Sequence, residues 1–117
     1  MGKVLDLDSK RKRLDDKYPL DKEEGVVALL TQLHHVRESR FLRGDYDASV
    51  LLLDLAQSIK EARLTKRQQL SLYLVYGRDM YQKEAAHWMN ISQQAVSDHI
   101  RTAIQRIVEV NEKKEVA

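Results

Sequence analysis

The sequence predicts an all-α protein of about five helices, and three observations support this fold class. Its 117 residues include one proline and four glycines, so little interrupts a long helix. No repeated run of β-branched residues alternates with polar residues, as half-buried strands would require. Apolar residues recur instead at spacings of three and four. At this length we expect one compact domain.

The amino-terminal segment, residues 1–20, has a composition that is typical of a solvated tail. It contains four consecutive basic side chains at residues 10–13, followed by Asp15, Asp16 and Pro19. Charge runs of this kind usually stay in water. The alternative is a basic arm that follows DNA phosphates, since such arms add affinity without sequence information.

The first predicted helix spans residues 22–42. Asp21 is placed to cap its amino end, and Glu23 and Glu24 suit the helix dipole in its first turn. Gly44 can adopt the left-handed conformation that ends many helices. We therefore expect the first helix to begin and end close to these residues.

The second predicted helix spans residues 46–62, and its apolar residues cover more than one stripe. A helix that is apolar on two sides is buried on two sides or packs on another subunit. We expect an oligomer interface on this helix, formed by Leu51, Leu52 and Leu55. Residues 21–63 would then form an N-terminal half that supports the rest of the chain or mediates association.

A third helix is predicted over residues 66–76, with Thr65 as its N-cap. It precedes the most specific part of the sequence, residues 82–100, in which a short helix, a turn and a longer helix follow one another. Trp88 lies in the short helix, and we expect it to be a buried anchor against the third helix.

Residues 82–100 are typical of a helix-turn-helix, the motif that places its second helix in the DNA major groove. Asn90 stands where the chain must turn, and asparagine tolerates the left-handed conformation. Ser92 is a good N-cap for the helix predicted over residues 92–111. One apolar stripe runs along that helix: Val96, Ile100, Ala103, Ile104 and Ile107.

Residues 64–110 resemble the region-four DNA-binding domain of bacterial sigma factors, and also the small sigma-like regulators of phages and prophages (the ArpU-like type). The resembling residues are Leu64-Thr65-Lys66-Arg67-Gln68, Tyr76-Gly77, Gln82-Lys83-Glu84-Ala85-Ala86 and Ile91-Ser92-Gln93-Gln94-Ala95-Val96-Ser97. The chain departs from the family at Asn90, where glycine is usual, and at His87-Trp88, which is a bulkier pair than usual. The resembling segment would form a domain of residues 64–111, followed by a tail of residues 112–117.

The resemblance implies which side chains contact DNA. The expected base-reading residues on the second motif helix are Gln93, Gln94, Ser97 and Asp98. The expected phosphate contacts are Lys66, Arg67, Gln82, Lys83, Ser92 and Arg101. Glutamine can bond both N6 and N7 of adenine, so either adjacent glutamine is a candidate adenine reader. Residues 64–107 hold six basic and three acidic side chains, whereas residues 21–63 hold six basic and eight acidic ones.

The expected function is therefore sequence-specific binding of double-stranded DNA by a bacterial or phage transcription regulator of the sigma-factor-like type. Bacterial RNA polymerase is a second partner that the resemblance implies, and a homo-oligomer is expected from the leucine-rich helix. Two alternatives stay open. One is a phage small terminase subunit that recognises packaging DNA, and the other is a helical protein–protein adaptor without DNA binding.

Other functional classes find little support in the sequence. Cysteine is absent, which excludes disulfides and thiolate metal sites and fits a cytoplasmic protein. No apolar run approaches the ~18 residues of a membrane span. His34 and His35 are adjacent, so they point about 100° apart on a helix and cannot chelate one metal as a pair. We expect neither an enzyme nor a bound metal or cofactor.

Overall fold

The structure is a computed structural model that describes residues 17–43 and 46–116. Within these residues lie six α-helices: α1 (Glu23–Thr31), α2 (Leu33–Arg43), α3 (Tyr46–Glu61), α4 (Lys66–Leu72), α5 (Gln82–Met89) and α6 (Gln93–Val116). A π-helical turn, Tyr73–Gly77, continues α4. No strand occurs among the described residues, and the all-α fold class is confirmed.

The predicted first helix is two helices, because the chain bends at Gln32. This residue leaves the helical region, with φ −95° and ψ 14°. Its N–H still donates to Ala28 O at 3.0 Å, and its carbonyl accepts from Val36 N at 3.0 Å, so the hydrogen bonding continues across the bend. The N-cap of α1 is Lys22, whose backbone is extended, so the prediction of Asp21 as the cap was wrong. The predicted carboxyl cap, Gly44, lies outside the described residues.

Helix α3 begins at its predicted first residue, Tyr46, but the burial of its leucines differs from the expectation. Leu51 and Leu55 are 3% and 5% exposed and belong to the core of this chain. Leu52 is half-buried against the same core. The exposed leucine is Leu53, at 64%. The expected oligomer interface is therefore corrected at Leu51 and Leu55, since these side chains already pack inside the chain, whereas a role of Leu52 in an interface stays a prediction.

The start of α4 follows from the capping chemistry that Thr65 provides. Its hydroxyl oxygen accepts from Gln68 N at 3.2 Å, and the Gln68 side-chain oxygen accepts from Thr65 N at 3.0 Å. This reciprocal capping box satisfies two backbone donors that a helix start leaves unpaired. The predicted helix over residues 66–76 is helical throughout, but it widens into the π-helical turn at Tyr73. A β-carbon on Gly77 would lie 3.0 Å from the Tyr73 ring, so glycine lets this ring pack closely on the turn.

The core is built around α6, which α1, α3, α4 and α5 all contact. The buried apolar residues of α6 are Val96, Ile100, Ala103, Ile104, Ile107 and Val108. Five of these form the stripe predicted from the sequence, and that prediction is confirmed. In the part of the chain that the structure describes, no helix combines the length and apolar character needed to cross a membrane.

Helix α6 continues through Val116, beyond the predicted end at residue 111 and into the predicted tail. Its last turns are held against α3. The Asn111 amide nitrogen donates to Ser58 Oγ at 3.0 Å, and Ser58 is fully buried. One turn further, Lys114 pairs with Glu61 at 3.0 Å. These contacts with another helix explain why the chain stays helical where the sequence pattern alone predicted a tail.

Candidate nucleic-acid interface

The turn between α5 and α6 has the geometry that a helix-turn-helix requires. Asn90 lies in the left-handed region, with φ 58° and ψ 44°, as predicted. Its N–H donates to His87 O at 3.2 Å, and Ile91 N donates to Ala86 O at 3.0 Å. This pair of bonds is a Schellman motif, which satisfies the last carbonyls of a helix and reverses the chain. Ile91 packs against the core, which fixes the direction in which the chain leaves α5.

Helix α6 starts immediately after this turn, and Ser92 caps it. The Ser92 hydroxyl oxygen accepts from Ala95 N at 3.0 Å, as the sequence predicted. Ala85 and Ala86 of α5 are buried, so α5 and α6 cross closely. The first turns of α6 are thus held by a cap at one end and by packing along one side.

The outer face of α6 carries the side chains predicted to read bases. Gln93, Gln94 and Asp98 are exposed, and Ser97 is half-buried beside them. Arg101 follows on the same face one turn further along and is also exposed. The structure therefore places these side chains on the surface that lies opposite the buried stripe of α6.

Three of these side chains form a hydrogen-bonded row along α6. Gln94 Nε2 donates to Asp98 Oδ1 at 3.1 Å, and the Arg101 guanidinium forms an ion pair with the same Asp98 oxygen. A primary amide has two N–H donors and an acceptor oxygen, so Gln94 keeps one N–H and its oxygen for another partner. An exposed ion pair contributes little stability. The row does bring the ends of Gln94 and Arg101 to the same carboxylate oxygen of Asp98.

A groove of about 220 Å³ opens at one flank of this face, between α1, α5 and α6. Its polar lining includes three residues predicted to contact DNA: Gln82, Ser97 and Arg101. Its remaining lining consists of Ile100 and Ile104 of α6 and of Glu23 and Val27 of α1. Neither Glu23 nor Val27 was predicted to belong to the site.

The comparison with protein families agrees with this geometry. Residues 62–108 match the family described as Sigma-70, region 4. This segment is similar to a sigma-factor DNA-binding domain. The match spans α4, the π-helical turn, α5 and most of α6, which is under half of the chain. No curated protein and no solved structure matches the chain.

The basic side chains that were predicted to contact phosphates lie at helix starts and on the outer face of α6. Lys66 and Arg67 are exposed in the first turn of α4, and Lys83 is exposed in the first turn of α5. Gln82 is half-buried at the rim of the groove, close to Arg101 in the same lining. The structure therefore brings Gln82 and Arg101 to one place, whereas Lys66 and Arg67 belong to a separate helix start.

Trp88 is on the outside of the region-4-like segment, which contradicts its predicted role as a buried anchor. Its side chain is 65% exposed. The inner side of α5 is formed by Ala85, Ala86 and Met89, and Ser71 of α4 donates to the Met89 sulfur at 3.6 Å. Met89 thus takes the position against α4 that was predicted for Trp88, because adjacent residues on a helix point about 100° apart.

Proposed function

We propose that this protein binds double-stranded DNA sequence-specifically and acts as a bacterial or phage transcription regulator of the sigma-factor-like type. The observation that carries this proposal is the turn at Asn90. Its Schellman motif orients α6 so that a row of polar side chains faces outward from a segment similar to sigma-70 region 4. The second helix of such a motif enters the major groove.

Within this proposal, the outer face of α6 divides into reading and orienting side chains. Gln93 and Gln94 read base edges, and Gln94 is suited to adenine because its oxygen and one N–H stay available beside the bond to Asp98. Asp98 orients Gln94 and Arg101, which replaces the base-reading role that the sequence suggested for it. Arg101 can then reach the phosphate backbone from a restrained position.

Phosphate contacts supply most of the affinity and no sequence information. Lys83 and Gln82 at the start of α5 suit this role, because the amino end of a helix also favours an anion through its dipole. Lys66, Arg67 and Ser92 are further candidates on the same physical grounds. We expect binding by a single chain to be weak and sensitive to salt, since the net charge of the protein is only +2.

The match to a sigma-factor domain also supports a role in transcription rather than in DNA packaging. RNA polymerase is accordingly proposed as a second partner, and the ArpU-like regulators of phages and prophages remain the proposed specific type. A homo-oligomer is proposed through the exposed side of α3, where Leu53 and Tyr46 are exposed seven residues apart. This spacing places both on one side of the helix.

The test compares a reading variant with a phosphate variant on selected and unrelated duplexes. A binding site is first selected from random duplex DNA with the full chain, and affinities are then measured by fluorescence anisotropy at two salt concentrations. Gln94→Ala should lose ~1–3 kcal/mol on the selected site only. Lys83→Ala should weaken all duplexes alike and reduce the salt slope by about one.

Gln105→Ala is the matched control for Gln94→Ala, since Gln105 is another exposed glutamine of α6 that lies outside the proposed reading turns. It should leave site preference and affinity unchanged. If Gln93→Ala combined with Gln94→Ala keeps full site preference, α6 is not the reading element. If the full chain shows no affinity for any duplex at low salt, the adaptor alternative is favoured instead.

A further inference from the structure

Helix α1 borders the proposed DNA-reading face, although it lies outside the segment that matches the sigma-factor family. Glu23 in its first turn and Val27 one turn later share a groove with Gln82, Ser97 and Arg101. More than fifty residues separate these two groups in sequence. The N-terminal half therefore supplies one wall of a groove whose other walls come from the helix-turn-helix.

The lining of this groove has two kinds of surface. Val27, Ile100 and Ile104 are apolar, whereas Gln82, Ser97 and Arg101 offer donors to an anion. Apolar carbon next to anion-binding donors fits a sugar–phosphate strand, which presents deoxyribose carbons and phosphate oxygens in alternation. The groove is also continuous with the proposed reading face, because Ser97 and Arg101 belong to both.

Glu23 is the exception in this lining. Its carboxylate is exposed, and it stands at the groove where the phosphates would pass. A carboxylate next to a phosphate is repelled, and at about 0.1 M salt this repulsion extends over roughly 10 Å. An acidic side chain at this place opposes the interaction that Gln82 and Arg101 provide.

We infer that α1 forms one wall of the DNA-contact surface, that a sugar–phosphate strand of duplex DNA occupies the groove, and that Glu23 lowers the affinity for that strand. This inference rests on the proposed function, because it requires α6 to lie in the major groove. It assigns the N-terminal half a direct part in DNA binding, in addition to support of α6. Glu23 acts on affinity for all duplexes and not on sequence preference.

The first test compares Glu23→Gln with Glu24→Gln. Both side chains are exposed in the first turn of α1 and both suit its dipole, but only Glu23 lines the groove. Glu23→Gln should tighten binding to unrelated duplex DNA by about twofold at low salt, as expected for removing one unit charge roughly 8 Å from a phosphate in a water-like dielectric. Glu24→Gln should change affinity by clearly less. Equal effects of the two variants would overturn the inference, since they would reflect net charge alone.

The second test introduces a positive charge at two positions along α1. Val27→Lys places an ammonium in the groove, whereas Thr31→Lys places one at an exposed position a turn further along the same helix. The side chain of Val27 is already 38% exposed, so this substitution does not bury a charge. Val27→Lys should steepen the dependence of log affinity on log salt by about 0.9, the value for one additional phosphate contact. Thr31→Lys should leave that slope close to the slope of the unmodified protein.

These measurements separate the inference from the proposed function. If Lys83→Ala weakens duplex binding while Glu23→Gln and Val27→Lys leave affinity and salt slope unchanged, the DNA-binding function stands and the role of α1 is overturned. If Val27→Lys and Thr31→Lys raise the slope equally, the groove is not on the path of the strand. If the unmodified chain binds no duplex, both the function and the inference fail.

Discussion

The turn at Asn90 offers a sharp test of the motif, because its left-handed backbone predicts that glycine is more stable than alanine at this position. The left-handed conformation costs most L-residues ~1–2 kcal/mol, whereas asparagine tolerates it through local hydrogen bonds and glycine adopts it freely. With φ 58° at this position, Asn90→Ala should lower the free energy of unfolding by ~1 kcal/mol. Asn90→Gly should stay within ~0.5 kcal/mol of the unmodified protein, because its easier turn is offset by a more flexible unfolded chain.

The measurement is urea unfolding followed by circular dichroism, with thermal unfolding as a second readout. A change of ~1 kcal/mol corresponds to a shift of roughly 4 °C in Tm for a domain of this size. Gln105 provides the control, since it is exposed inside α6, where the backbone is right-handed. At Gln105 the order of stabilities should be the opposite, with Gln105→Ala ~1 kcal/mol more stable than Gln105→Gly. If alanine is as stable as glycine at Asn90, the left-handed turn is refuted, and with it the orientation of α6.

Two further predictions concern side chains at the surface. Trp88→Ala should lower the free energy of unfolding by less than ~1 kcal/mol because the side chain is 65% exposed, and a loss of ~3–5 kcal/mol in urea unfolding would instead indicate burial. A hydrogen bond from Gln57 and the nearby Lys114 hold the pKa of Glu61 below its ordinary value of 4.5. A lowered pKa means that this carboxylate stabilises the fold above its unfolded pKa and that the stabilisation is lost as the pH falls through the folded pKa. Thermal unfolding of Glu61→Gln should therefore depend less on pH below about 4.5 than that of the unmodified protein, and identical acid profiles would contradict this assignment.

The sequence predicted the parts of the fold that depend on residues close together along the chain. Thr65 and Ser92 cap helices through bonds to residues three positions away, and Asn90 turns the chain through its own backbone preference. The bend at Gln32 was not predicted, because no proline or glycine stands near it in the sequence. The π-helical turn at Tyr73 was not predicted either, because Gly77 at its end does not by itself distinguish a π-helical turn from an ordinary helix end. Both are conformations that packing against other helices can select.

The candidate site likewise has features that follow from local sequence and features that depend on helix packing. The exposed face of α6 follows from helical spacing, and the row from Gln94 through Asp98 to Arg101 has the separations of four and three at which side chains on a helix meet. Glu23 could not be assigned to this site from the sequence, since its place beside α6 depends on how α1 packs. Trp88 was misplaced because its apolar character predicted burial, whereas Met89 takes the inner position.

The length of α6 connects the candidate site to the rest of the molecule. Its first turns carry the proposed reading face, and its last turns are held to α3 by the partly buried bond between Asn111 and Ser58. A side chain that reads a base edge must be held within fractions of an ångström, and a rigid helix does this better than a loop. Because α6 is one continuous helix, contacts at its far end restrain the direction of its first turns. Under the proposed function and the inference about α1, the N-terminal half is thereby coupled to DNA reading twice, through α3 at the end of α6 and through Glu23 of α1 beside the proposed reading face.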